Sequence, residues 1–289
     1  MNPNVKAALW MTGAIASFSS MAVAGRELSA VHDTFEIMMY RSFVGIAVVS
    51  LVLSVTGKWG QVSTRAFGLH ALRNCVHFTG QNLWFLAITL APLAQVFALE
   101  FTMPLWVILL SPIFLGERLT PMRLLAALIG FAGIMLVARP GATPLGAGVL
   151  AAAAAAFFFA LTTISTKRLT AVASVGCIMF WLTVMQAVLG LAAAGFDGDI
   201  ALPSAATIPF LVLVGLAGLL AHFCIANALS IAPASVVVPI DFARLPTIAI
   251  IGMLLYDEVL DPWVFVGAVV IFAGNYLNIL NETRRNRVA

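Results

Sequence analysis

Long apolar runs separated by short polar joints follow one another along the whole chain. A bilayer core takes about 20 residues of helix, and ten runs of that order can be marked. They lie near 7–25, 35–56, 66–90, 93–115, 121–138, 145–166, 172–195, 205–230, 233–255 and 262–281. The joints hold turn residues, among them TGKWG from 56, RPGATP from 139 and FDGDI from 196. The runs are too long for barrel strands and lack the alternation such strands require. The pattern predicts an all-α integral membrane protein with ten transmembrane helices.

The same pattern occurs twice. Displacing the sequence by 141 positions lays Glu100-Phe101 on Asp241-Phe242, and Glu117, Leu119 and Pro121 on Glu258, Leu260 and Pro262. It also lays FAG at 131 on FAG at 272, Ile37-Met38 on Ile178-Met179, and Arg26 on Lys167, without a gap. This is an internal duplication, with expected repeats at 1–141 and 142–289. Five spans per repeat is an odd number, so the second copy enters the membrane in the opposite direction and the repeats are inverted. The first run then matches the sixth and reads as a structural helix, although AVAG at 22–25 imitates a leader cleavage site.

Charge sets the orientation. Of the 15 Lys and Arg, ten lie in joints on the side of the N-terminus and only Arg26 and Arg139 on the other, which predicts both termini in the cytoplasm. Arg41, Arg73 and Arg244 remain, inside spans. A composition that is 62% hydrophobic and 9% charged, with a mean hydropathy of +1.05, departs far from soluble domains, where about half the residues are apolar. No basic and aromatic patch suggests nucleic acid. Cys75, Cys177 and Cys224 are odd in number and sit in apolar runs, so free packed thiols are expected. No catalytic, phosphate-binding or metal-ligand pattern occurs, and no enzyme activity, cofactor or metal is expected.

Ionisable groups within spans cost about 2.5 to 3.5 kcal/mol at the bilayer centre and usually face a cavity or a partner. Glu100 and Asp241 stand in ALEFTMPLW and PIDFARLPT, each followed by a proline that can break its helix. Asp241 and Arg244, three residues apart, can pair along one face, either at a binding site or as a purely structural pair. On the third span Arg73, His77 and Gln81 recur every four residues, with His70 and Asn74 beside them. This stripe predicts His77 and Gln81 facing a central cavity, with Trp84 one turn further out. Arg73 has the alternative of reaching to the headgroups. Gln81 matches His222 under the displacement, which suggests a shared lining position. Arg41 either caps a site or pairs with Glu36. Met103 takes the place that Arg244 has in the second copy, so Glu100 lacks a cation on its own helix and is the expected carrier of a coupling proton.

The run PLAQVFALEFTMPLWVILLSPIFLGERLTPMRLLAALIGFAGIMLV, with YRSFVGIAV at 40–48, resembles the EamA family of the drug/metabolite transporter superfamily. The second copy departs from it, with YDEVLDP at 256 where the first has the GER run. The resemblance covers the chain and implies a solute carrier with a central cavity between repeats. Together with the intramembrane charges, it leads us to expect a secondary transporter in an inner (plasma) membrane, working by alternating access. It would act as a monomer or a dimer, with protons as the candidate coupling ion. The expected substrate is a small solute, first of all an exported or exchanged amino acid, because Arg73 and Arg244 suit a carboxylate. The alternatives are an importer of a vitamin or nucleoside-like metabolite and, from another class, a channel.

Overall fold

The computed structural model describes residues 3–116, 119–139, 146–196, 198–232, 237 and 240–288, without the side chains of 3, 4, 229, 230 and 282–288. The described residues are helices and short connections. In order they are α1 (Pro3–Leu28), α2 (Thr34–Val55), α3 (Phe67–Leu90), α4 (Leu93–Glu100), α5 (Met103–Leu115), α6 (Pro121–Ala138), α7 (Ala147–Thr170), α8 (Val175–Ala194), α9 (Ile208–Ile231), α10 (Arg244–Tyr256) and α11 (Pro262–Val288). A single 3₁₀ turn, Trp59–Gln61, lies between α2 and α3.

Local chemistry sets the ends. Asp33 and Glu36 form a reciprocal capping box at the start of α2. Ser174 accepts from the Cys177 N–H at the start of α8, and Thr120 does the same for Arg123 ahead of Pro121 at α6. Gly116 ends α5 at φ 67°, a left-handed conformation that needs no Cβ.

The fourth span, expected as one run over 93–115, is divided into α4 and α5 at Phe101 and Thr102. Pro104 accounts for the division. It has no N–H to offer the carbonyl four residues back, which belongs to Glu100, and its ring crowds that carbonyl. The ninth span is broken at the matching place, with Phe242 and Ala243 as turn residues ahead of α10, and Pro246 has the same relation to Phe242. Pro112 does not end α5, because the Ser111 hydroxyl donates to the Ile108 carbonyl that the proline leaves without an amide. Most of the N-terminal part of the ninth span, with Pro239, lies outside the described residues, as do Glu117 and Arg118.

Eight of the spans are long and apolar enough to cross a membrane. The other two are α3, made more polar by its Arg, His, Asn and Gln residues, and the span shortened by its break to Arg244–Tyr256. The ten-span, two-repeat membrane fold expected from the sequence is thereby recovered.

Packing follows the duplication. The most extensive helix pairs are α1 with α9, α3 with α7, α2 with α8 and α6 with α11, and α4 meets α10. Each pair joins one repeat to the other, and the displacement by 141 exchanges the first two pairs and maps α2/α8 and α6/α11 onto themselves. The α6/α11 crossing is close enough to require glycine. A Cβ on Gly133 would stand 2.6 Å from the Gly267 carbonyl oxygen, and one on Gly274 2.6 Å from that of Ala126, which is the same contact seen from the other copy. A continuous apolar core contains Trp84, Phe85, Leu93, Phe97, Leu105, Leu245 and Ile248, from both repeats. All three cysteines are free. Cys177 and Cys224 are buried as expected, but Cys75 is exposed on the outer side of α3 and is not a packed thiol.

Candidate functional site

Three groups of polar side chains occupy the interior. The first is built where the two broken spans meet. Arg244, at the first position of α10 and 5% exposed, points a guanidinium nitrogen at each acid, Nη1 to Glu100 Oε1 at 3.1 Å and Nη2 to Asp241 Oδ2 at 3.4 Å. The helix breaks make this possible, because each carboxylate stands at the end of a helical segment and not along a continuous cylinder. Glu100 is further held at Oε2 by the indole N–H of Trp84, at 2.8 Å. Asp241 Oδ1 is buried and has no partner among the described residues.

Aromatic rings enclose this cluster. The Arg244 guanidinium lies over Phe18 at 4.6 Å, Phe101 at 4.9 Å and Phe97 at 5.2 Å. Phe101 meets its own copy, Phe242, at 4.9 Å between ring centroids. The Phe101 carbonyl, freed by the break, accepts from Asn275 Nδ2 at 2.9 Å.

The second group lies between α2, α3, α8 and α9. Arg41 Nη1 donates to Gln81 Oε1 at 2.7 Å. Arg73 donates to Thr166 Oγ1 at 3.2 Å and to Asn74 Oδ1 at 3.1 Å, and Asn74 is tied to α8 through the Trp181 carbonyl and Gln186 Nε2. A cavity of about 30 Å³ lies among Arg41, Ser42, His77, Thr183 and Gln186. That is room for about two waters and not for a metabolite. His77 Nδ1 is buried without a partner, and its ring lies 6.2 Å from Phe159. His222 is exposed at mid-span, edge-on to Phe18 at 5.8 Å.

The third group closes the end of the bundle away from the termini. Arg26 pairs with Glu258 and donates to the Ile88 and Ala91 carbonyls at 2.5 and 2.6 Å, while the Leu93 N–H donates to Glu258 at 2.9 Å. Tyr256 donates to Glu27 at 2.9 Å, and Arg139 pairs with Asp261. Apart from the two Arg26 bonds to carbonyls, these contacts join one repeat to the other.

Arg244, Glu100, Asp241 and Trp84 are thus brought together, and so are Arg41, Gln81 and His77, with His222 against Phe18. Glu36 is apart from both. Its carboxylate accepts from His32 Nδ1 and from the Asp33 and Ala201 amides, and Arg41 turns to Gln81 instead. His70 is fully buried beside Cys177 and Trp181. Phe18, Gln186 and Asn275 join the site without having been singled out. Gln186 and Asn275 are polar residues inside spans and the same criterion would have found them, whereas nothing polar marks Phe18.

Comparison with known proteins agrees with this architecture. The EamA-like transporter family model matches twice, over residues 5–139 and 146–280. A riboflavin transporter of Rhizobium johnstonii is 31% identical over 75% of this chain and 72% of its own length, and one of Brucella anthropi 30% over 88% and 90%. An S-adenosylmethionine uptake transporter of Rickettsia bellii is 25% identical over 95% and 94%. A crystal structure of a protein 21% identical superposes with a TM-score of 0.65, covering 96% of this chain and 98% of the other, a likeness of fold. Ten spans in two inverted copies, a charged and aromatic centre between them and two full family matches place this chain in the EamA-like transporter family.

Proposed function

We propose that this protein takes up a small metabolite of the vitamin or nucleoside-like class, built around a flat ring system, by alternating access. The observation that carries this reading is the aromatic cluster at the junction of the two broken helices, with Phe18, Phe97 and Phe101 against the Arg244 guanidinium and Phe242 against Phe101. A planar ring can stack among such side chains. The relatives named for riboflavin and S-adenosylmethionine transport favour this alternative over amino acid export. Of those two chemistries, a sulfonium cation would meet Arg41 and Arg73, which have no carboxylate within 4 Å among the described residues, so a neutral or anionic ring is the better fit. Arg244 is engaged by two carboxylates and is less suited than expected to hold a substrate carboxylate.

The coupling role passes from Glu100 to Asp241 in this reading. Glu100 has both oxygens engaged by Arg244 and Trp84, whereas Asp241 keeps a buried oxygen that a proton can occupy. The closed end formed by Arg26 and Glu258 then faces the periplasm, both termini face the cytoplasm, and the repeats 1–141 and 142–289 rock against each other.

Flavin fluorescence in proteoliposomes tests the function. Riboflavin should enter saturably and show counterflow. Counterflow of amino acids with none of riboflavin would restore the export reading, and a conductance that does not saturate would indicate a channel. Reporter fusions near 60, 168 and 285 should read cytoplasmic. A periplasmic C-terminus would reverse the orientation.

A further inference from the structure

We propose that Arg41 and Arg73, with His77 between them, form an anion subsite that receives a carboxylate or phosphate carried by the transported solute. The proposal rests on the reading of the chain as a carrier of a ring-bearing metabolite, and adds that the solute is anionic.

Three guanidinium groups lie inside the membrane, and their surroundings differ in kind. Arg244 has two carboxylates within 3.4 Å. Among the described residues no carboxylate lies within 4 Å of Arg41 or Arg73. Their hydrogen-bond partners are neutral, Gln81 and the Met38 sulfur for Arg41, Thr166 and Asn74 for Arg73. A guanidinium has five N–H donors, so each retains capacity for a further acceptor. Arg73 is only 6% exposed. Arg41 is partly buried, and cations drawn from water without a carboxylate beside them are costly unless an anion completes them.

The place for that anion is built. The cavity is lined by Arg41, Ser42, His77, Thr183 and Gln186, and Arg73, buried one helical turn before His77 on α3, stands behind it. His77 is 7% exposed and its Nδ1 has no partner. In the tautomer protonated at Nδ1 it would donate to an oxyanion that accepts from Arg41. Gly218 on α9 lets the Arg41 guanidinium approach this closely, since a Cβ there would stand 2.7 Å from Nη2. The present volume admits about two waters, and an anionic group of the solute would replace them as the cavity widens.

The subsite is read by thermal melting of the purified full-length protein in detergent, at constant ionic strength. Two matched pairs, riboflavin with riboflavin 5′-phosphate and nicotinamide with nicotinate, separate phosphate from carboxylate. Inorganic phosphate and acetate, each against chloride, read the subsite without a ring. The anionic member of at least one pair should half-saturate at about tenfold lower concentration than its neutral partner. The matching inorganic anion should stabilise saturably, and Arg41→Gln and Arg73→Gln should remove both effects while leaving the neutral ring bound. A saturable anion effect lost in these variants supports the subsite even if riboflavin itself is not transported. Equal affinity within both pairs and no saturable anion effect on the unaltered protein would overturn it. So would a preference that survives in both variants.

Discussion

Glu100 and Asp241 close their helical segments at equivalent places in the two repeats, yet their surroundings differ on every side. Glu100 takes Arg244 on one oxygen and Trp84 on the other. Asp241 takes only the longer of the Arg244 contacts, 3.4 Å, and leaves one oxygen without a partner among the described residues. Sequence explains the difference. The position matching Trp84 is Ile225, which has no donor, and the position matching Arg244 is Met103. Duplication supplied two acids at two breaks, and divergence gave one cation to both. One acid is held at both oxygens and the other at one, and the proposed coupling role of Asp241 rests on that asymmetry.

The largest effect should come from removing what the two acids share. Arg244→Ala leaves two carboxylates facing each other within the membrane, and losing one side of a buried ion pair costs about 3 to 5 kcal/mol. Folded yield in detergent should collapse, and Arg244→Lys should recover part of it. A melting temperature for the alanine variant equal to that of the unaltered protein would show that the acids do not depend on this cation.

Single replacements come next and should separate the acids. Glu100→Gln should cost about 2 to 3 kcal/mol, since it loosens a contact held at both oxygens. Asp241→Asn should cost about 1 kcal/mol or less. Transport should show the reverse order of importance. Asp241→Asn should retain counterflow and lose accumulation driven by a pH gradient, while correctly folded Glu100→Gln should retain both. Accumulation in Asp241→Asn vesicles as strong as in the unaltered protein would return the coupling role to Glu100 or His77.

Much of this architecture is legible in the sequence because membrane helices carry their own signal. The ten runs, the displacement by 141 and the odd span count lead to an inverted two-repeat fold without reference to any contact. Within the site, spacing along one helix was informative. The Arg73, His77 and Gln81 stripe faces inward as its four-residue period predicts, and Pro104 and Pro246 mark the breaks. Contacts between helices were not legible. That Glu100 finds its cation on α10, that Arg41 turns to Gln81 and not to Glu36, and that a phenylalanine of α1 covers Arg244 all depend on which helices meet. A pattern within one span does not contain that information, and the serines that flank Phe18 on α1, Ser17, Ser19 and Ser20, do not single out the face that lines the site.

The narrowest of these tests isolates the one hydrogen bond that distinguishes the two acids on the side away from Arg244. Trp84→Phe removes the indole N–H that donates to Glu100 at 2.8 Å and keeps most of the ring that packs against Phe85 and Phe97. The acid stays paired with Arg244, so the loss is that of one charge-assisted hydrogen bond plus a little ring area, about 1 to 2 kcal/mol. With its second oxygen freed, Glu100 comes to resemble Asp241. Two exchangeable carboxylates on either side of one guanidinium should then compete for the coupling proton. The pH dependence of riboflavin accumulation should broaden in Trp84→Phe, and the double variant Trp84→Phe/Asp241→Asn should regain part of the gradient-driven transport that Asp241→Asn alone has lost. No recovery in the double variant would mean that Arg244 alone keeps Glu100 fixed, and that the difference between the acids lies in the 3.1 Å and 3.4 Å contacts and not in the tryptophan.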